Sequence, residues 1–214
     1  MSARKIFAES LFETVADNLA ELGYAVLEDV FASDDLAMLR QELYEHYEQG
    51  DLQPAAIGTG ALRQQNTAIR GDHIRWMERD NTNPTCHFFF DLIEALTEYL
   101  NQTCFLGIRS YELHFAMYPP GAFYKRHLDV FQQSKARKIS IVCYLNEAWQ
   151  EHEGGQLRLF LPSEAGEEKT LDLLPFGGRL VCFRSDLLEH EVLPATRERL
   201  SITGWLRTDN AILL

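Results

Sequence analysis

The sequence has little of what marks secreted, membrane and nucleic-acid-binding proteins. Its four cysteines are scattered without a Cys-x-x-Cys pair, which predicts small buried side chains in a reducing cytosol rather than disulfides or a zinc site. No apolar run approaches the roughly 20 residues of a membrane span, and the N-terminal stretch lacks a signal-peptide core. The formal net charge of −12 argues against nucleic-acid and anionic-membrane partners.

The composition is ordinary for a globular protein, with 46% hydrophobic and 24% charged residues over a length of 214. That length suffices for one domain with a sizeable core. We therefore expect a single domain over residues 1–214, with helices and a lid in 1–106 and a sheet core in 107–207. We also expect a monomer, located in the cytoplasm.

The first hundred residues carry mostly helical patterns. Apolar residues recur at helical spacing over 7–22, 33–50 and 83–100, which predicts three helices. Gly23 is placed to end the first helix, and Ser33 is placed as the N-cap of the second.

From Gly107 onward the apolar period changes to two, which predicts short strands separated by turn residues. Because helices precede the strands rather than alternate with them, a parallel βαβ fold is disfavoured. The predicted class is α+β, a double-stranded β-helix or jelly roll with N-terminal helices packed on one sheet. The eight core strands are expected at 109–118, 123–130, 137–146, 155–161, 169–174, 179–184, 191–194 and 199–207, and shorter strands at 24–31 and 72–77.

Residues 51–83 contain several glycines, and the part from 58 to 80 is locally cationic in an otherwise acidic chain. That part has four arginines, at positions 63, 70, 75 and 79, against three acidic residues. This composition predicts a mobile hairpin or lid that ends in the strand at 72–77.

The pair His127-x-Asp129 is the first candidate for metal chemistry. Residues two apart on a strand point to the same face, so an imidazole and a carboxylate could reach one ion. His190, just past an apolar strand-like run, can supply a third ligand. Two histidines and one carboxylate favour an iron(II) site with open positions.

Arg199 opens the last predicted strand and shares a face with Ser201, Thr203 and Trp205. If that face points inward, the guanidinium needs an anionic partner, and a bound dicarboxylate would provide one through bidentate hydrogen bonds. Tyr144 ends the alternating run at 139–144 and could bind the same dicarboxylate.

These residues belong to a longer set of short motifs that together are specific. The set resembles the iron(II)- and 2-oxoglutarate-dependent dioxygenases, and most closely the prolyl hydroxylases of the hypoxia-inducible-factor type and their bacterial relatives. The resemblance covers roughly 55–207 and is carried by Ala68-Ile69-Arg70-Gly71-Asp72-x-Ile74-x-Trp76, Tyr118-Pro119, Tyr124-x-Arg126-His127-x-Asp129, Tyr144-Leu145-Asn146, Gly154-Gly155-x-Leu157-Arg158, Phe183-x-Ser185-Asp186, His190-Glu191-Val192-x-Pro194 and Arg199-x-x-Ile202-Thr203-x-Trp205.

The resemblance implies a role for each matched position. It implies that the metal ligands are His127, Asp129 and His190. It implies that Arg199 and Tyr144 bind the distal carboxylate of 2-oxoglutarate, in a pocket lined by Tyr118, Thr203 and Trp205. The residues implied on the substrate side are Arg70, Asp72, Trp76, Tyr124 and Arg126.

The resemblance also implies an activity. A proline in a protein loop would be hydroxylated, with a translation elongation GTPase as a candidate substrate, and succinate and carbon dioxide would be released. Iron(II), 2-oxoglutarate as co-substrate and, as a further candidate, ascorbate are the expected cofactors. Two alternatives stay open: an oxygenase of a free amino acid or other small molecule with the same iron site, and a non-enzymatic jelly-roll binding module.

Overall fold

The computed structural model describes residues 7–56, 66, 68–130, 135–162 and 167–209. Within these ranges the helices come mainly before the strands, as the sequence predicts. In chain order the elements are α1 (Glu9–Glu21), β1 (Tyr24–Leu27), α2 (Ser33–Glu48), β2 (Gln53–Pro54), β3 (His73–Met77), α3 (His87–Cys104), β4 (Ser110–Tyr118), β5 (Tyr124–His127), β6 (Arg137–Tyr144), β7 (Leu157–Leu161), β8 (Lys169–Leu173), β9 (Leu180–Arg184), β10 (Glu189–Val192) and β11 (Arg199–Arg207).

Helix α1 matches the helical apolar spacing from which it was predicted. Its buried face includes Phe12, Val15 and Leu19, which lie three or four residues apart and therefore share one side of the helix. Gly23 follows the C-cap with φ +82°, a left-handed conformation that glycine adopts without a steric penalty. The chain then turns directly into β1.

Helix α2 begins one residue earlier than the sequence predicted. Ser33 is already helical, and the N-cap position is held by Ala32, which has no side-chain oxygen. The first turn is instead held by Asp35, whose Oδ2 accepts a hydrogen bond of 3.2 Å from the Ala32 N–H. The prediction of Ser33 as N-cap is therefore wrong, although an acidic residue in the first turn is present as expected.

Helix α3 begins and ends later than predicted. The segment Pro84–Cys86 forms a 3-10 turn, and the α-helix begins at His87 and continues to Cys104. Asn83 accounts for the late start, because its side chain accepts a hydrogen bond of 3.0 Å from the Thr85 N–H and shapes a tight first turn.

The strands form two antiparallel sheets. The seven-stranded sheet, which we call the major sheet, has the order β1-β9-β6-β11-β4-β3-β2, and the four-stranded minor sheet has the order β5-β10-β7-β8. Neighbours in the sheets are mostly distant in sequence. Strand β11, for example, lies between β4 and β6.

The major sheet is buried on both faces. One face packs under the three helices in an apolar cluster that includes Leu39, Leu96, Phe115, Ile141 and Ile202. The other face packs toward the minor sheet in a second cluster that includes Val142, Tyr144, Leu159, Phe183 and Val192. This is the predicted α+β jelly roll with its helices on one sheet. Because successive side chains of a strand point to opposite faces, each strand of the major sheet can contribute residues to both clusters.

All eight strands expected after Gly107 are present, most of them with ends within two residues of the expected ones. Strand β5 differs most, because it stops at His127 where continuation to residue 130 was expected. Asp129 therefore lies in a bend after the strand. The short strand β2, which pairs with β3, was not predicted.

Most of the expected lid lies outside the described residues, which exclude 57–65 and 67. The described end of this segment runs beside β5. The Gly71 N–H donates to the Phe123 carbonyl at 3.0 Å, and the Lys125 N–H donates to the Ile69 carbonyl at 2.9 Å. The Arg70-Gly71-Asp72 turn thus lies against the strand that carries His127.

Two expectations about composition can also be compared with the fold. All four cysteines are free thiols, and Cys86, Cys143 and Cys182 are buried. None of the helices that the structure describes is long and apolar enough to cross a bilayer.

Candidate metal centre and active site

His127, Asp129 and His190 meet at the mouth formed by β5 and β10. The two strands pair antiparallel with His127 directly opposite His190. One ligand atom from each of the three side chains lies within 4.8 Å of the other two. His127 Nε2 is 3.6 Å from Asp129 Oδ1, and His190 Nε2 is 3.5 Å from Asp129 Oδ2. The pairing of two strands distant in sequence brings the triad together.

Backbone carbonyls orient both imidazoles. His127 Nδ1 lies 2.7 Å from the Lys125 carbonyl oxygen, and His190 Nδ1 lies 3.3 Å from the Leu188 carbonyl oxygen. A carbonyl only accepts, so each Nδ1 carries the proton in the neutral ring and each Nε2 keeps its lone pair. Metal-binding histidines commonly have this arrangement. The His127 ring also stacks on Tyr124, with centroids 3.6 Å apart.

The protonation states suit metal binding. Burial on its own would raise the pKa of Asp129, but His190, His127 and a hydrogen bond from Ser140 hold that pKa well below its usual range. Burial lowers the pKa of His190 to about 4, with Asp129 opposing and His127 adding to the shift. At neutral pH Asp129 is therefore ionised and His190 is neutral, and both are then able to ligate a cation.

Arg199 is a buried cation on the face of the major sheet that points into the jelly roll. Its side chain is only 2% exposed, and its Nε donates to the Gly155 carbonyl at 2.9 Å. The guanidinium carbon lies 5.1 Å from the centre of the Tyr118 ring and 4.9 Å from that of Tyr144. No carboxylate among the described residues forms an ion pair with it.

The Tyr144 hydroxyl lies in the same buried position without an acceptor for its proton among the described residues. Burial raises the pKa of Tyr144, with Arg199 opposing, and burial likewise raises the pKa of Tyr118. Both phenols are thus neutral donors at neutral pH. A buried guanidinium beside a phenol that lacks an acceptor matches the needs of a carboxylate.

Thr203 and Trp205 continue the Arg199 face of β11, as the alternation predicted. The Trp205 ring packs against Trp76 and His114, with centroid distances of 6.4 and 5.4 Å. The Arg137 guanidinium carbon lies 3.4 Å from the centre of the Trp205 ring. Neither the Trp205 indole N–H nor His114 Nδ1 has a hydrogen-bond partner among the described residues.

The expected substrate-side residues separate into two groups. Arg70 makes a bidentate contact with the buried Asp72, through Nε at 2.8 Å and through a terminal nitrogen at 2.6 Å. The Arg70 guanidinium carbon lies 4.4 Å from the centre of the Tyr124 ring. Because Tyr124 stacks on His127, this group adjoins the metal centre directly.

Arg126 does not join that group. Its Nε donates to Glu189 at 2.8 Å, its terminal nitrogen pairs with Glu168 at 2.7 Å, and its guanidinium carbon lies 3.8 Å from the centre of the Phe160 ring. These contacts are with the outer part of the minor sheet. They hold β5 against β10 and thereby support the position of His127.

Comparison with known proteins gives a consistent family. The profile of the 2OG-Fe(II) oxygenase superfamily matches residues 113–207. A crystal structure of a prolyl-4-hydroxylase from Pseudomonas putida superposes with a TM-score of 0.82 at 40% identity, covering 92% of this chain and 99% of that chain. The chain belongs to the 2OG-Fe(II) oxygenase superfamily.

Two further relatives place this oxygenase with prolyl hydroxylases. A prolyl hydroxylase from Trichoplax adhaerens, in complex with a hypoxia-inducible-factor oxygen degradation domain peptide fragment, has a TM-score of 0.80 at 28% identity, covering 94% of this chain and 90% of that chain. The hypoxia-inducible factor prolyl hydroxylase of Caenorhabditis elegans is 30% identical over 204 residues, which are 90% of this chain and 28% of that protein. The chain thus spans little more than a quarter of this curated relative.

Membership defines what the site must hold. Oxygenases of this superfamily use iron(II) and take 2-oxoglutarate as co-substrate. The cluster of two histidines and one aspartate has the donor set of such iron sites. Arg199 and Tyr144 supply the cation and the hydroxyl donor that a dicarboxylate needs, so the residues present fit both groups.

Three residues near the site had no role in the sequence interpretation. Ser140 lies two and four residues before Val142 and Tyr144 in an alternating run, which is the available signal for its face, but its contact with Asp129 depends on how the bend after β5 folds. His114 and Arg137 are inward-facing residues of β4 and β6. Nothing in their local sequence indicates that they would pack on the same tryptophan.

Proposed function

We propose that this oxygenase is a protein prolyl hydroxylase. It hydroxylates a proline in an exposed loop of another protein, using dioxygen and 2-oxoglutarate and releasing succinate and carbon dioxide. The observation that carries the proposal is the His127–Asp129–His190 cluster in the same barrel as the buried Arg199, in a chain 40% identical to a solved bacterial prolyl-4-hydroxylase.

In this proposal His127, Asp129 and His190 are the iron ligands. Each imidazole presents Nε2 because a backbone carbonyl accepts the Nδ1 proton. Bound iron(II) together with 2-oxoglutarate supplies the oxidising chemistry, in which one oxygen atom of dioxygen enters succinate and the other enters the substrate C–H bond. Three protein ligands would leave further coordination positions of the ion for co-substrate and dioxygen.

Arg199 and Tyr144 orient the co-substrate. The planar guanidinium binds the distal carboxylate in a bidentate manner, and the Tyr144 hydroxyl donates to the same group. Tyr118, Thr203 and Trp205 form the walls around it. Because Arg199 is 2% exposed, this interaction is made away from water, where a charged hydrogen bond is strong.

The substrate proline is proposed to lie against Trp76 and Tyr124, with the Arg70–Asp72 pair fixing the adjacent turn. Arg70 is held by two hydrogen bonds to Asp72 and lies over Tyr124, so the three side chains form one connected group beside the metal centre. Arg126 lies farther out, where its ion pairs leave it as a rim residue and a support for β5.

A translation elongation GTPase is the proposed substrate, with the enzyme acting as a cytoplasmic monomer. Support for a protein substrate comes from the Trichoplax adhaerens enzyme, whose structure holds a peptide fragment. The relative at 40% identity is bacterial. This supports a substrate that bacteria contain, such as an elongation GTPase, over an animal transcription factor. The net charge of −12 makes nucleic acid an unsuitable alternative. Ascorbate is proposed only as a reductant that keeps the iron in the ferrous state.

The test is hydroxylation of the candidate GTPase by the purified protein with iron(II), 2-oxoglutarate and air. Peptide mass spectrometry should locate a single added oxygen on one proline, with one succinate formed for each modified residue. The Asp129→Ala variant is the matched negative control. Turnover of free amino acids with every prolyl peptide inert would contradict the proposal.

A further inference from the structure

Two buried serines extend inward from the metal centre. Ser140 lies on β6 and Ser185 directly follows β9, and they are 1% and 0% exposed. Ser140 Oγ is 2.6 Å from Asp129 Oδ2 and 2.8 Å from Ser185 Oγ. The three side chains therefore form an unbroken hydrogen-bonded chain from the minor-sheet bend to the major sheet.

The direction of this chain follows from the groups involved. An ionised carboxylate only accepts hydrogen bonds, so Ser140 must donate its proton to Asp129. Having donated, the Ser140 oxygen is free to accept, and Ser185 donates to it. Hydrogen bonds aligned in this way polarise one another, and those that end on a charged acceptor are the strongest.

Asp129 lies outside the sheet, so strand pairing does not fix the direction of its side chain. Strand β5 ends at His127, so Asp129 lies beyond the last ladder hydrogen bond. Arg137 donates to the Asp129 backbone carbonyl at 3.3 Å, which restrains the main chain. The one described hydroxyl that reaches the carboxylate is that of Ser140.

We propose that Ser140, supported by Ser185, is a positioning residue for the metal ligand Asp129. By binding one carboxylate oxygen, the serine hydroxyl leaves the other oxygen for the ion, so that Asp129 ligates through a single atom. Ligation through one oxygen keeps a coordination position open, which chelation through both oxygens would fill. This inference rests on the proposed function insofar as Asp129 is taken as an iron ligand.

A purely structural role predicts something different. If the serine pair only links β6 to the end of β9, its loss should lower the free energy of unfolding of the metal-free protein and leave metal affinity unchanged. If the pair positions Asp129, metal affinity should fall even in variants with unchanged thermal stability. The affinity of the folded protein for the ion therefore separates the two roles.

The experiment measures the dissociation constant for iron(II), under anaerobic conditions, in wild type and in folded variants. Removing a hydrogen-bond partner of a metal ligand commonly weakens binding by about 10- to 100-fold, and we expect a loss in that range for Ser140→Ala. Ser140→Thr keeps the hydroxyl and should recover most of the affinity. Thr82→Ala, at a buried hydroxyl outside the candidate site whose described contact is a 3.4 Å approach to Asn81, is the matched control and should bind as wild type does.

Ser185 gives an independent check. Because it acts through Ser140, Ser185→Ala should weaken binding less than Ser140→Ala, and the double variant should bind no more weakly than Ser140→Ala alone. Additive losses would contradict a chain in series. Cobalt(II) in place of iron adds a spectroscopic readout, since chelation by both carboxylate oxygens would alter its visible absorption in Ser140→Ala.

The outcomes separate this inference from the proposed function. If wild type binds iron(II) and the dissociation constant of Ser140→Ala is within twofold of the wild-type value, the positioning role is overturned. The proposed function then stays intact. Wild type that fails to bind one iron(II), or an Asp129→Ala variant that binds as well as wild type, would overturn the ligand assignment on which both depend.

Discussion

At the scale of single residues, Arg199 has the most sharply defined environment. It is fully buried, its described partner is the Gly155 carbonyl oxygen, and it lies between two neutral phenols. A buried cation without a carboxylate is costly, and this cost is recovered when an anion binds. This environment supports the proposed role of Arg199 in binding the distal carboxylate of the co-substrate.

Replacing Arg199 with lysine should raise the dissociation constant for 2-oxoglutarate by about 10- to 100-fold, because a charged bidentate contact contributes about 1.5–3 kcal/mol and an ammonium group cannot reproduce its geometry. Isothermal titration with iron-loaded protein measures this directly. Arg197→Lys, two residues earlier and paired with Glu153 on the surface, is the matched control and should bind normally. If Arg199→Lys binds 2-oxoglutarate as tightly as wild type does, Arg199 does not bind the co-substrate.

His114 predicts a dependence of stability on pH. Burial lowers the pKa of His114 to about 3, with Arg70 adding to the shift, whereas an unfolded histidine titrates near about 6.5. Between these values the unfolded chain binds a proton that the folded protein does not, so stability falls as the pH decreases from about 6.5 toward 3. His114→Met removes this contribution and should reduce the slope by about 1.4 kcal/mol per pH unit across most of that window.

Urea unfolding of the metal-free proteins at a series of pH values between about 4 and 7 measures how the free energy of unfolding changes with pH. The slope is obtained for wild type and for His114→Met. Equal slopes for wild type and His114→Met would show that His114 takes up a proton in the folded state. His152→Met, at an exposed histidine, is the matched substitution for comparison.

At the scale of secondary structure, β11 carries three residues of the candidate site. It presents Arg199, Thr203 and Trp205 to the jelly-roll interior while its alternate residues pack under the helices. Gly204 lies opposite Leu113 of β4, and a Cβ at Gly204 would collide with the Glu112 carbonyl oxygen. The close approach of β4 and β11 therefore requires glycine at this position.

Gly204→Ala should consequently separate β4 from β11 and lower the free energy of unfolding by about 1–3 kcal/mol, the usual range for overpacking. Because the strand carries Arg199, 2-oxoglutarate affinity should fall as well. Chemical denaturation and co-substrate titration test the two parts. Ser201→Ala on the same strand is the control and should lower the free energy of unfolding less than Gly204→Ala does. Unchanged stability of Gly204→Ala would mean that β4 and β11 can separate without cost.

Strand positions could be read from the sequence largely because each strand is a local pattern. The bounds of β11 follow from alternation over 199–207, and the helices follow from apolar spacing. The helix starts were harder, because the 3-10 turn before α3 is set by the Asn83 side chain rather than by periodicity. The early end of β5 reflects a bend at Asp129 that alternation alone does not specify.

The candidate site was predictable to the extent that motifs carry it. His127, Asp129, His190 and Arg199 could be named because their residue types and spacing match a known chemistry. The contacts that support them depend on which strands become neighbours, and β5 and β10 are paired across a long stretch of chain. Ser140 and Ser185 could not be assigned roles beforehand for this reason.

At the scale of the whole molecule, we propose that helices and sheets form one cooperative unit over the described part of the chain. The larger apolar cluster joins all three helices to the strands of the major sheet, so neither part buries its apolar face alone. Scanning calorimetry of the metal-free protein should show a single transition whose calorimetric and van't Hoff enthalpies agree. Two transitions, or a stably folded fragment of residues 107–214, would contradict the single-domain account.

The most direct test of the whole account is an anaerobic titration of the metal-free protein with iron(II) and then with 2-oxoglutarate, followed by visible absorption. The account predicts one iron per chain and, upon addition of one equivalent of 2-oxoglutarate, the charge-transfer band of an iron(II)–2-oxo acid chelate, absent in His127→Ala and Asp129→Ala. A protein that binds no iron, or a band that survives in both variants, would contradict it.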